Sequence, residues 1–181
     1  MSSVNDFSGT YTIDPSHSEI EFVARHAMIS KVRGSFDSFE GTATTGPNLE
    51  DAKIELSIDV NSIDTRNKDR DGHLLGEDFF DAEKYPKITF VSTSVTAKDD
   101  STLSVTGDLT VKGETNPVTV EFDFGGDATD PWGNLRVGFE GKAEINRRDF
   151  GLTWQTKLDN GGALVSEKIG LHFDISATKN A

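Results

Sequence analysis

The chain's four histidines and its many carboxylates are the residue types that could do chemistry. His17, Glu19 and Glu21 recur at alternate positions, so in an extended strand they share one face. An imidazole and two carboxylates are donors for a divalent metal, but zinc needs three or four convergent ligands. Ile20 and Phe22 occupy the opposite face, which turns this trio towards water, and no metal is expected. His172 likewise falls on an outward position. His26 has the parity of Ile20, Phe22 and Ala24, so it is expected to point inward at a strand end. There its ring can bond a ligand head group or be satisfied by backbone. Arg66, Arg70 and His73 are four and three residues apart, so a helix would put them on one face. Such a face attracts a phosphate or carbonyl head group. The competing role is a structural latch from Arg70 to Asp69, Asp71 or Glu77.

Enzyme signatures are missing. The sequence has no Gly-x-Ser-x-Gly elbow, phosphate-binding loop or dinucleotide fingerprint. No feature converges two acids on one point, so no catalytic residue and no cofactor is expected. The absence of cysteine removes disulfides, thiolate nucleophiles and Cys-ligated metals. A net charge of −13 repels phosphate backbones and excludes nucleic acid as a natural partner. No apolar run approaches the roughly 20 residues that span a bilayer. The N-terminus from Met1 to Phe7 lacks the basic and apolar regions of a secretory signal, so a soluble, cytoplasmic protein is expected.

The elements that must position these groups are strands. Apolar and polar residues alternate through Ile20–Arg25, Lys53–Val60, Leu103–Val111, Val118–Phe124, Leu135–Ile145 and Ile169–Ala177. Each segment has one apolar and one polar face. Turn residues separate them at Thr45–Asn48, Lys98–Asp100, Lys112–Glu114 and Gly125–Asp127. With Gly9–Asp14, Val32–Thr45 and Lys87–Ala97, this makes an antiparallel meander of about eight to ten strands. The stretch from Thr65 to Tyr85 breaks the pattern and reads as short helical turns. Asp64 or Thr65 is expected to cap the start and Gly76 to end the first turn. Its Leu74, Leu75, Phe79 and Phe80 are expected to bury across one open end of the sheet. No internal boundary or repeat is present, so residues 1–181 form one domain, with residues 1–9 expected as a flexible N-terminus.

A one-faced sheet of this size hides its apolar face by closing, and about eight strands can be filled by side chains or hold one small ligand. Small inward residues (Ala24, Gly34, Gly107, Gly141, Ala143 and Ala177) mixed with phenylalanines suggest spare room. They are equally consistent with bulky neighbours filling a solid core. The candidate wall residues are Phe22, Ala24, Phe36, Ile58, Leu74, Phe79, Phe90, Leu109, Phe122, Phe124, Phe139, Phe150, Trp154 and Phe173; His26, Arg66, Arg70 and His73 are the head-group candidates. Phe150 and Trp154 flank Gly151 and are expected to close the barrel end away from the helical segment. Trp132, in Asp-Pro-Trp-Gly, is expected to anchor its loop.

One ordered series of motifs carries a resemblance. It begins with Asp14-Pro15-Ser16-His17-Ser18, Phe22 and His26, then Asp69-Arg70-Asp71-Gly72-His73-Leu74, Asp78-Phe79-Phe80 and Tyr85-Pro86-Lys87-Ile88-Thr89-Phe90. It continues with Gly107-Asp108-Leu109-Thr110-Val111, Thr115-Asn116-Pro117-Val118, Asp130-Pro131-Trp132-Gly133, Arg136-Val137-Gly138-Phe139-Glu140 and Asn146-Arg147-Arg148-Asp149-Phe150-Gly151. In this order the set resembles the YceI-like family of polyisoprenoid-binding proteins, from about Tyr11 to Ala177. The resemblance implies an extended lipocalin-like antiparallel β-barrel with a short helix near its mouth. It implies an interior that holds an isoprenoid or similar long-chain amphiphile, such as a polyprenyl quinone, for transport, storage or protection. It also implies a homodimer as a common state and a periplasmic location for many members, from which the missing signal departs. The alternatives are an enzyme acting on an isoprenoid and a filled-barrel stress or interaction module.

Overall fold

The computed structural model describes residues 3–4, 7–27, 29–156 and 164–180. Its strands are β1 (Gly9–Ile13), β2 (Glu19–His26), β3 (Ser30–Phe36), β4 (Phe39–Thr45), β5 (Lys53–Asp59), β6 (Ile63–Asp64), β7 (Lys87–Asp99), β8 (Thr102–Val111), β9 (Glu114–Thr129), β10 (Leu135–Asn146) and β11 (Lys168–Lys179). The described residues contain one α-helix, α1 (Lys68–Leu75). All pairings are antiparallel, in the order β1-β4-β5-β7-β8-β9-β10-β11, and β11 pairs back with β1 to close an eight-strand barrel.

Eleven strands fit eight positions because three positions hold broken strands. Val32–Thr45, expected as one strand, splits into β3 and β4 at Asp37 and Ser38. Facing it, a 3-10 turn over Pro15–His17 separates β1 from β2, and another over Val60–Ser62 separates β5 from β6. Proline cannot donate to a ladder, and the carboxylates of Asp14 and Asp59 cap the two turns by accepting from Ser16 N–H and Asn61 N–H. The three breaks lie side by side: Asp37 N–H donates to Ser62 O and Asp59 N–H to Ser38 O.

Two turn expectations need correction. Gly125–Asp127 does not end a strand; it lies inside β9, where the register against β10 slips opposite Gly138 and Phe139. Gly126 has φ +123°, a backbone that glycine supplies at little cost. The helix cap is neither Asp64 nor Thr65. Asn67 Oδ1 accepts from Arg70 N–H at 3.0 Å, and Arg66, with φ +64°, lies before the helix; Gly76 does terminate it.

The alternation sorts the faces as read: β8 has Leu103, Val105, Leu109 and Val111 buried between polar residues nearer to water. Pro117 sits inside β9, where the β10 pairing covers only Glu121–Thr129, so the lost donor faces no partner. Of the first nine residues, Val4 is 1% exposed and donates its N–H to Asp100 O, while Phe7 packs edge-on against Tyr11 and Phe124. These two side chains belong to the core and stopper one end of the barrel. Leu74, Phe79 and Phe80 cover the other, with Phe80 against Phe36.

Candidate functional site

Between the two plugs the barrel is not full. An interior cavity of about 300 Å³ runs from Val4, Phe7 and Tyr11 to Leu74, Phe79 and Leu152. This is at the small end of ligand pockets, about 300–1,000 Å³, and suits a narrow chain. Its lining is apolar apart from Tyr11, Glu21, Thr42, Thr45 and Arg147.

The small residues and the phenylalanines work together to leave that space. Phe22 stands opposite Gly34, and Phe122 opposite Gly141. A Cβ at Gly34 would lie 2.2 Å from Phe22 Cζ, one at Gly107 2.5 Å from Phe90 Cζ, and one at Gly141 2.5 Å from Phe122 Cε1. Each ring therefore lies over a glycine, flat against the wall, and does not stand into the lumen. The glycines are not themselves the void; they let the rings recede from it.

Of the candidate wall residues, Phe22, Ala24, Phe36, Ile58, Leu74, Phe79, Phe90, Leu109, Phe122, Phe139, Phe150 and Phe173 line the cavity. Phe124 does not: it packs behind the Phe7 plug, 5.2 Å from the Phe7 ring and 5.4 Å from the Phe139 ring. Trp154 does not either, since it lies against the outside of the helix end, 5.3 Å from the Phe79 ring and 5.0 Å from His73. Phe150 is on the cavity wall, but at the same end as α1: it ends the turn that follows β10, just before Trp154, which packs on His73 and Phe79. The end expected to be closed by Phe150 and Trp154 is closed by Val4 and Phe7.

None of the four head-group candidates lines the cavity. His26 is exposed: β2 has run past the barrel wall there, so inward parity no longer means an interior. His26, Arg66 and Arg70 do come together, but along a polar outer groove beside β3, with Lys31, Arg33, Glu19 and Asp64. Arg66 cannot share a helix face with Arg70 because it precedes the helix. Arg70 is a latch, though not onto an acid. Its Nε donates to Thr65 Oγ1 at 2.9 Å and its Nη2 to Thr65 O at 2.5 Å, and the buried Thr65 hydroxyl donates in turn to Asp71. His73 faces outward, with Nε2 2.9 Å from Asp78 Oδ2. Trp132 is 79% exposed and anchors nothing; Asp130 shapes that loop by accepting from the N–H groups of Trp132 and Asn134.

Two features carry electrostatics the sequence reading missed. At the Phe7 end, Arg136 bridges Asp14 (2.8 Å) and Asp130 (3.1 Å), tying the β1–β2 break to the β9–β10 loop. The Ser16 hydroxyl, Arg136 and His17 together hold the Asp14 carboxyl far below the usual carboxylate range. At the helix end Arg147 is 2% exposed and lies on the cavity wall. Its Nη1, Nε and Nη2 donate to the carbonyls of Leu152 (2.6 Å), Ser166 (2.9 Å) and Val165 (3.4 Å). Burial, and then the neighbouring Arg148, pull its pKa below the ordinary arginine value, with Glu167 opposing. The signal was present in the sequence: Arg147 continues the inward parity of Ala143 and Ile145.

Among the described residues, no group of three or more metal-binding side chains gathers in one place, and no helix is long and apolar enough to cross a membrane. Comparison with known proteins gives a consistent picture. A family model described as the YceI-like domain matches residues 11–177. A UPF0312 protein of Shewanella denitrificans is 39% identical over 164 residues, covering 89% of this chain and 84% of that protein. The crystal structure of Burkholderia cenocepacia BcnA is similar with a TM-score of 0.78 at 26% identity, over 92% of this chain and 99% of that one. A polyisoprenoid binding domain from Saccharophagus degradans has a TM-score of 0.73 at 16% identity, over 94% of this chain and 98% of that one, a likeness of fold.

Proposed function

The chain belongs to the YceI-like family, and from that premise we propose that it carries a long-chain isoprenoid or similar amphiphilic lipid in its barrel, for transport, storage or protection. The observation that carries this reading is the unfilled apolar cavity of about 300 Å³ inside a closed barrel. An empty apolar void forfeits dispersion contacts along its whole lining. An apolar tail restores them and leaves water, at about 0.8 kcal/mol per buried methylene. The polyisoprenoid binding named for the domain of similar fold supports the same ligand class. The reading requires no turnover: the wall supplies shape and apolar surface, and the reacting groups of an acid–base mechanism are not part of it.

The test is organic extraction of the purified protein followed by mass spectrometry, with uptake of offered prenyl quinones measured in parallel. A co-purifying prenyl lipid, or stoichiometric uptake, is the expected result. Protein that carries no lipid and takes up none would refute the proposal.

A further inference from the structure

Residues with polar side chains border the cavity, yet almost no polar atom contributes to the surface of its described wall. Arg147 directs Nε, Nη1 and Nη2 at the carbonyls of Ser166, Leu152 and Val165. Thr45 Oγ1 donates to Phe7 O at 2.8 Å, and the Tyr11 hydroxyl lies 3.5 Å from Ser8 O. Glu21 alternates with the inward Ile20 and Phe22 and also borders the outer groove beside β3, while Thr42 is exposed. These residues meet the lumen with their hydrocarbon parts. A charged or hydrogen-bonding head brought into this space would leave water and find no partner, which is costly. An apolar chain meets no such penalty and restores the dispersion contacts of the wall.

Size sets a second limit. Ile169, Leu171, Phe173, Ile175 and Ala177 of β11 all line the space. It therefore follows this strand for about 27 Å at roughly 3.4 Å per residue, or about 20 Å along the barrel axis at a strand tilt of about 40°. Spread over that length, about 300 Å³ is a single narrow channel. An apolar cavity of about 150 Å³ holds one benzene, so about twice that volume holds roughly twelve carbons, between two and three five-carbon prenyl units. We propose that the closed barrel takes up only the last two to three prenyl units of a tail, about fifteen carbons at most, and leaves the head outside the apolar space. The protein then selects by tail length and is indifferent to the head. This inference rests on the cavity holding a lipid and specifies which part of the lipid it holds.

The experiment uses the unmodified, delipidated protein, with affinities measured by competition against one fluorescent prenyl probe. The first series is the C5, C10, C15 and C20 prenyl alcohols. Affinity is expected to rise at least about tenfold with each added unit through C15, because each unit buries several more carbons. From C15 to C20 the rise is expected to be less than about tenfold. A rise of about tenfold or more again at C20, or no rise before it, overturns the length limit. The second series keeps one C15 tail and varies the head among hydrogen, alcohol, carboxylate and amine. These four are expected to bind within about tenfold of one another. A wider spread shows that the head enters the wall's reach and overturns the head-outside reading. Either failure leaves lipid carriage itself standing. Binding of no member of either series overturns both.

Discussion

Replacing Gly34 by alanine tests how this interior stays open. Gly34 has an ordinary strand backbone, so alanine introduces no φ strain, and the added methyl meets one neighbour, the Phe22 ring, at 2.2, 2.5 and 2.9 Å. Carbon atoms pack at about 3.5–4.0 Å, so the ring must retreat by roughly 1.3 Å or more. Behind the ring lies the cavity, and the retreat goes there. Overpacking of this kind costs about 1–3 kcal/mol, and the lower entropy of the unfolded alanine chain offsets about 0.4–1 kcal/mol of it. The expected net loss is roughly 1–2 kcal/mol, which for a chain of this length lowers Tm by about 2–8 °C. The diagnostic measurement is a double-mutant cycle with Phe22→Leu. The shorter side chain vacates the clash, so the pair should couple favourably by about 0.5–3 kcal/mol. Prenyl-lipid retention, read by mass spectrometry of the extracted protein, should fall in Gly34→Ala and recover in the double variant. Additive stabilities with unchanged retention would refute the idea that the rings are laid over glycines to keep the lumen clear.

Other consequences can be measured on the same protein. Because the Ser16 hydroxyl, Arg136 and His17 hold Asp14 far below the usual carboxylate range, these bonds to its carboxylate contribute stability above about pH 4, the unfolded value. That contribution disappears as the pH falls below this value. Arg136→Met should therefore shrink the difference in denaturation midpoint between pH 6 and pH 3, and an unchanged difference would contradict the network. Phe7→Ala removes the ring that packs on Tyr11, Phe124 and Phe139. It should cost about 2–3 kcal/mol, less than a fully buried phenylalanine, and speed the exchange of bound lipid in a transfer assay. Gly72 lies inside α1 with nothing within 4 Å of an added Cβ. Gly72→Ala should raise stability by about 0.5–1 kcal/mol in urea denaturation.

The period of two along the sequence determined which side chains face inward over most of the barrel, because alternation is a property of the extended backbone itself. It placed Phe22, Phe90, Phe122, Phe139 and Phe173 on the wall without reference to any distant contact. The ordered motifs added the family. Local turn chemistry was partly legible: Gly76 ends the helix as read, while Gly125 and Gly126 form a bulge because β10, the next strand, pairs with β9 on both sides of them. Position along the barrel axis was not legible, and it decided the rest. His26 has inward parity but lies past the wall, whereas Arg147 has inward parity and lies on it. Val4 and Phe7 became a plug because closure between β1 and β11 brings the N-terminus over one open end. Whether the interior is solid or hollow depends on how each ring packs against the residue across from it. Only the register between strands sets that pairing, and register is a tertiary property.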